Sequence, residues 1–349
     1  MAKRYRVLGS IGKGGFGTVY RASIVGDPDA APVAIKLLHE GKLPDGTLER
    51  FRDEARILAL SKDRTIVSVE PPMMLSGRWA VVMDYIDGCS ASKLLDKGIF
   101  PPGAALELVG EVARALESLH KQPGPTGAPL ELLHRDLKPG NIQVTQAGQV
   151  KLLDFGFARA EFAEREAKTI FDIGGTTGYL APERLRGDEG PKGDIFSLGV
   201  VLQVLVTGDG PNDEIELEEY EGDVLEVLKL AKKMQKRKPA KRPSALDVEQ
   251  RCKELGELIQ GETLAELSAR LVPGFLLMDG DELTGKVLTE DGAPLPSRKP
   301  RFDETEEVEG RSWGAVLAVA AIVMLVVFVA VVLGTTLLGG VATAAWFTL

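Results

Sequence analysis

Cysteine is almost missing from this chain of 349 residues, which has only Cys89 and Cys252. Two such residues build neither a disulfide framework nor a cysteine-rich metal cluster, so most of the chain is expected in a reducing compartment. A surplus of positive charge is missing too. The formal net charge is −9, which argues against nucleic acid as a partner, because phosphate backbones select basic surfaces. The N-terminus is basic but no apolar run comes after it, so it does not read as a signal peptide. There are no internal repeats. The longest absence lies at the other end. From Trp313 to Leu349, 37 residues pass without one Asp, Glu, Lys, Arg or His. About 20 apolar residues span a bilayer core as a helix, and Ala315–Leu333 supplies them alone. A buried core helix of this length would show a polar face. One C-terminal transmembrane helix is therefore expected, with membrane lipid as its partner. The cations Arg298, Lys299, Arg301 and Arg311 precede it and none lies beyond it. By the positive-inside rule, residues 1–312 are expected to be cytoplasmic.

The composition, 44% hydrophobic and 27% charged, allows a substantial core. Residues 1–85 carry strand signals: Tyr5–Leu8 and Thr18–Tyr20 flank a glycine-rich turn, and Pro32–Leu38 and Trp79–Tyr85 read as further strands. Between them, Thr47–Leu60 has helical spacing, with Phe51, Glu54, Ala55 and Leu58 on one face. After Pro101-Pro102 the chain turns helical, with Leu106, Val109, Ala113, Leu116 and Leu119 at three- and four-residue steps. Helical signals recur at Asp194–Thr207, Asp223–Gln235 and Ser244–Ile259. The reading is an α+β, two-lobed domain over residues 1–260, a juxtamembrane linker over 261–312 with a short helix near Ala265–Leu271, and a membrane segment with a short tail over 313–349. Asp213 to Asp223 holds seven carboxylates and Lys232 to Arg242 seven cations. Both read as solvated faces in preference to a substrate-docking surface.

Five short motifs stand in order: GKGGFGTV at Gly12–Val19, VAIK at Val33–Lys36, HRDLKPGN at His134–Asn141, DFG at Asp154–Gly156 and APE at Ala181–Glu183. Glycines between two strands let backbone approach triphosphate oxygens, which assigns Gly12, Gly14 and Gly17 to ATP, with Phe16 at the tip. A dinucleotide fold would open a helix at such glycines, and here a strand comes next. Lys36, at the end of an apolar strand, offers an ammonium to the α/β-phosphates; the plain alternative is an exposed strand lysine. Glu54, on the apolar helix face, is the expected carboxylate partner. Asp136 is placed to accept the substrate hydroxyl hydrogen bond, and Lys138 to neutralise the transferring phosphoryl group. Asn141 and Asp154 offer hard oxygens to Mg²⁺. Arg135 can pair with a phosphate on the loop between Asp154 and Glu183, where Thr169 and then Thr177 are the phosphosite candidates. Cys89 reads either as the rim of the nucleotide pocket or as an inert small side chain.

On these motifs the sequence resembles the eukaryotic-type Ser/Thr protein kinases over about residues 5–260, and most closely the membrane-anchored kinases of bacteria. The resemblance implies the bilobal kinase fold, ATP and Mg²⁺ as cofactors, protein substrates with Ser or Thr, and an inner-membrane location. It implies adenine contacts at Val19, Ala34 and Met83 and a hinge at Asp84–Ile86. Thr176 would touch the catalytic Asp and Lys, Asp194 would brace the catalytic loop, and Arg242 would pair with Glu183. Gln143 departs from the apolar residue usual under the adenine. The segment between Asp194 and Arg242 is short, and the residues after Leu333 do not read as a sensor domain. Two alternatives are weighed. A nucleotide-binding pseudokinase scaffold is opposed by the intact Lys36, Asp136 and Asp154. A small-molecule phosphotransferase is opposed by the APE segment, Asp194 and Arg242. Small residues at four-residue spacing, such as Ala330/Gly334 and Gly340/Ala344, allow self-association of the apolar tail.

Overall fold

The computed structural model describes residues 2–14, 17–39, 63–123, 132–154, 177–275 and 280–291. The chain divides into units of residues 1–292 and 293–349, and the second lies outside the described residues. So do the apolar tail, the helix expected at Thr47–Leu60 with Glu54, and the loop bearing Thr169 and Thr176. Among the described residues, no helix is long and apolar enough to cross a membrane.

The first part of the chain builds a six-stranded sheet. Its strands are β1 (Arg4–Gly14), β2 (Gly17–Ile24), β3 (Val33–Leu38), β4 (Met73–Leu75), β5 (Arg78–Asp84) and, far along the chain, β9 (Val287–Thr289). The order is β4-β5-β3-β2-β1-β9. Alternation in β3 and β5 turns Ile35, Leu37, Ala80 and Val82 onto one buried face with Tyr5, Val7 and Leu75. The other face carries Ala34, Val81 and Met83, and it looks toward the cleft between the lobes.

The helical lobe comes next. Ser90 caps α1 (Ala91–Leu95), its side chain accepting from the Lys93 N–H. Helix α2 (Pro102–His120) starts on a proline, whose missing N–H costs nothing there. It is buried along most of its length, as its apolar spacing predicts. Helices α3 (Pro191–Thr207), α4 (Gly222–Met234) and α5 (Ala245–Leu258) surround it, close to the expected ranges. Their leucines and valines share one core with Phe100 and Ile142. A small sheet of β6 (Gly88–Ser90), β7 (Ile142–Thr145) and β8 (Val150–Leu152) sits at the top of this lobe.

Residues past 260 are ordered, and the short helix expected near Ala265–Leu271 forms there. Helix α6 (Leu264–Leu271) opens with a capping box between Thr263 and Glu266, and Leu264 and Leu267 join the helical-lobe core. The next 3₁₀ turn, Val272–Phe275, buries Val272 in that core, and β9 then pairs with β1. The acidic run at 213–223 is mostly exposed, with Ile215 turned into the core, as a solvated face should be.

Candidate active site

Strand pairing sets the upper wall of the cleft. Gly12 faces Val19 and Gly14 faces Gly17 across the β1–β2 turn. At Gly17 only hydrogen fits, because a Cβ would run into the Leu37 carbonyl of β3. Val19 faces Lys36 across β2–β3, and Ala34 faces Met83 across β3–β5. Val19, Ala34, Met83 and Ile86 fall in one apolar cluster with Ile11 and Leu153, which fits a flat aromatic base. The expected hinge starts on the last residue of β5: the Asp84 N–H donates to the Ser68 carbonyl at 3.1 Å, its side chain is exposed, and the Gly88 N–H donates to the Ile86 carbonyl.

Register brings the chemical residues together below. Ile142 pairs with Leu152, and the Leu153 N–H donates to the Asn141 carbonyl at 3.0 Å. Asn141 and Asp154 therefore flank one end of a short hairpin. The Lys36 ammonium lies 3.0 Å from both carboxylate oxygens of Asp154, so the lysine expected to hold phosphates meets a carboxylate. Glu54, its expected partner, lies outside the described residues. The Lys138 ammonium donates to Asp136 Oδ2 at 2.8 Å. The Asn141 amide donates to the Asp136 carbonyl and to its Oδ2, both at 2.8 Å. Those bonds use the nitrogen end of Asn141 and leave its oxygen as an acceptor. With the half-exposed carboxylate of Asp154 this is a hard-oxygen pair suited to Mg²⁺.

Beneath, Asp194 in the first turn of α3 accepts from the backbone N–H of His134 at 2.8 Å and of Arg135 at 2.9 Å. Burial pushes its carboxyl up, but the His120 hydrogen bond and the charges of Arg184 and His134 outweigh it and hold the carboxyl below its ordinary value. This is the brace expected of Asp194. Glu183 and Arg242 form the expected pair, with Arg242 Nη2 to Glu183 Oε2 at 2.8 Å, both buried. The Arg242 guanidinium also donates to the Lys236 and Lys192 carbonyls and stacks 4.9 Å from the Phe196 ring centre.

Four contributors were not read from the sequence. His120 lies 3.4 Å from Asp194. Arg184 donates to the Arg135 carbonyl at 2.8 Å, and Glu189 accepts from Arg135 Nε at 2.9 Å. Ser197 donates to the Tyr179 carbonyl, fixing the turn Thr177–Tyr179 at the end of the loop. Only Arg184, adjacent to APE, had any signal in the sequence.

Cys89 is corrected against the pocket-rim reading. It lies on β6 with its side chain in the helical-lobe core, and burial pushes its thiol up to about 11. It is the inert small side chain. Gln143 sits on β7 opposite Ser90, and its side-chain oxygen is buried without a hydrogen-bond partner among the described residues.

The chain matches the protein kinase domain model over residues 5–262. It is 36% identical over 211 residues to the serine/threonine-protein kinase PknL of Mycobacterium tuberculosis, covering 60% of this chain and 50% of that protein. It is 37% identical over 219 residues to PknA of the same species, covering 60% and 48%. The probable serine/threonine-protein kinase PknB of Lactococcus lactis is 30% identical over 241 residues, covering 66% and 36%. The chain thus spans half or less of the length of these relatives. The crystal structure of the PknI kinase domain of M. tuberculosis superposes with a TM-score of 0.56 at 26% identity, covering 72% of this chain and 95% of that one.

Proposed function

The chain belongs to the protein kinase domain family, and from that premise we propose that it is an active, Mg²⁺-dependent Ser/Thr protein kinase, anchored in a membrane with its catalytic domain in the cytoplasm. The observation that carries the catalytic reading is the cluster in which Lys138 and Asn141 hold Asp136 while Lys36 meets Asp154.

Each residue has work that its position supports. Asp136 accepts the hydrogen bond of the substrate hydroxyl and aims its oxygen. Lys138 keeps a cation beside that oxygen as charge moves onto the phosphoryl group. Lys36 holds the α/β-phosphates, and the Val19–Ala34–Met83 cluster takes the base. Asn141 and Asp154 would hold Mg²⁺, whose chemistry here is to neutralise the triphosphate oxygens. Because none of these residues is replaced, a pseudokinase scaffold is not favoured.

Membrane anchoring is supported by the uncharged segment Trp313–Leu349 and by the cations that precede it. Anchoring two such domains in one membrane raises their effective concentration to roughly millimolar, which favours phosphorylation in trans at Thr169 or Thr177, with Arg135 as partner.

The test uses the full-length chain expressed in bacteria. Transfer of labelled phosphate from ATP to Ser or Thr of a protein acceptor should require Mg²⁺ and stop with EDTA. The chain should stay with membranes after carbonate washing, and Lys36-dependent phosphate should map to the loop. No transfer under any condition overturns the catalytic reading; release by carbonate overturns the anchoring.

A further inference from the structure

Residues 280–291 lie beyond the family match, which ends at 262, yet they are built into the strand-rich lobe. On one side β9 pairs antiparallel with β1, Tyr5 opposite Leu288, and the Val7 N–H donates to the Lys286 carbonyl while Gly285 donates back to Val7. On the other side the same segment reaches the opposite edge of the sheet. Glu290 bridges to Leu75 of β4, the Ser76 N–H donates to the Thr289 carbonyl at 2.9 Å, and the Asp291 N–H donates to the Met74 carbonyl at 3.0 Å. The Asp291 carboxylate accepts from the Gly77 N–H in the β4–β5 turn. Leu288 is buried in the core of this lobe, and Asp281 stands near enough to Tyr20 of β2 to help burial raise its hydroxyl above its ordinary value. The sheet is thereby closed, with both edges tied to one short segment.

The segment also joins the lobes. Its preceding residues, α6 and the turn Val272–Phe275, belong to the helical-lobe core, and Lys97 stands over the Phe275 ring.

We propose that residues 280–291 are a positioning element of the nucleotide site, setting the register of β1. The proposal rests on the kinase reading. Strand β1 ends in the glycine turn, and its pairing with β2 shifts register twice, between Val7 and Gly9 and between Ser10 and Gly12. Register is weakly specified in glycine-rich strands, and the end of β1 that leads into the turn carries Gly9, Gly12 and Gly14. Without β9, β1 would also be an edge. A small displacement of the glycine turn weakens its hold on the triphosphate without touching Asp136.

The test uses the full-length chain with Leu288→Asp, Asp291→Ala and the conservative Leu288→Ile. Leu288→Asp is expected to raise KM for ATP about tenfold with kcat within about twofold, the split that marks lost ground-state binding. Asp291→Ala should shift KM in the same direction by a smaller factor, and Leu288→Ile should match wild type. Hydrogen exchange in Leu288→Asp should quicken in β1 and the glycine turn and stay unchanged in α2. Unchanged KM and exchange in folded Leu288→Asp overturn the proposal, as does a fall in kcat at constant KM. Should Leu288→Asp fail to fold, an unchanged KM in Asp291→Ala overturns it instead. Equilibrium ATP binding and exchange need no catalysis. If wild type transfers no phosphate, the kinase reading fails, and unchanged ATP affinity in Asp291→Ala separately overturns the strap.

Discussion

Arg135 and Asp154 stand with φ of 69° and 54°, in the left-handed region that side chains avoid. Each such residue costs on the order of 1–3 kcal/mol unless its surroundings hold it. Asp194 and Arg184 bind the Arg135 backbone from two sides, and the Lys36 ammonium holds the Asp154 carboxylate. At this scale the sequence was legible where functional residues sit close together in a motif, as Asp136, Lys138 and Asn141 do. It was silent on His120 and Glu189, whose roles depend on partners 74 and 54 residues away. The Glu183–Arg242 pair can be tested by pH. Burial pushes the Glu183 carboxyl up, but hydrogen bonds and charge from Arg242 pull it below its ordinary value of 4.5. Its folded pKa is depressed, so the pairing contributes fully above 4.5 and is lost as pH falls through the lower folded value. Arg242→Ala strands a buried carboxylate and should cost about 3–5 kcal/mol at neutral pH. Denaturant unfolding should show that penalty shrinking as Glu183 protonates. An equal penalty at pH 7 and in acid would contradict the assignment.

Among elements, α3 shows what decides legibility. It is buried almost all round, so it has no polar face to mark it, yet Pro191 and Gly208 bound it and its length identifies it. Helices α2, α4 and α5 announced themselves by period. Strands β4, β6, β7 and β8 did not, because three or four residues give too little alternation to read. Strand β9 was hidden in a charged stretch that reads as linker, since only Leu288 of its three residues is buried. Gly199 shows how tightly α3 packs: a Cβ there would lie 2.7 Å from the Met234 Cβ of α4. Gly199→Val should force α3 and α4 apart and lower stability by about 1–3 kcal/mol, the usual cost of overpacking. Thermal unfolding of the variant checks this, and a wild-type midpoint would show that the contact can relax freely.

At the largest scale, the described residues place the apolar cluster of Val19, Ala34 and Met83 on one side and the carboxylate–lysine–amide cluster of Asp136, Lys138 and Asn141 on the other. The bilobal order was readable from strand signals followed by helical ones, and from the family resemblance that the five motifs carry. The closure of the sheet was not, because it joins residues more than 200 positions apart. On the proposed reading, Asp136 orients the hydroxyl that receives the phosphoryl group in this cleft. The most direct measurement is the single-turnover rate of γ-phosphate transfer from ATP to a protein Ser/Thr acceptor, comparing wild type with Asp136→Asn at saturating ATP and Mg²⁺. The variant is expected to bind ATP with wild-type affinity and to unfold at the wild-type temperature, while transfer falls by about 10²-fold or more. Transfer at the wild-type rate by Asp136→Asn would contradict it.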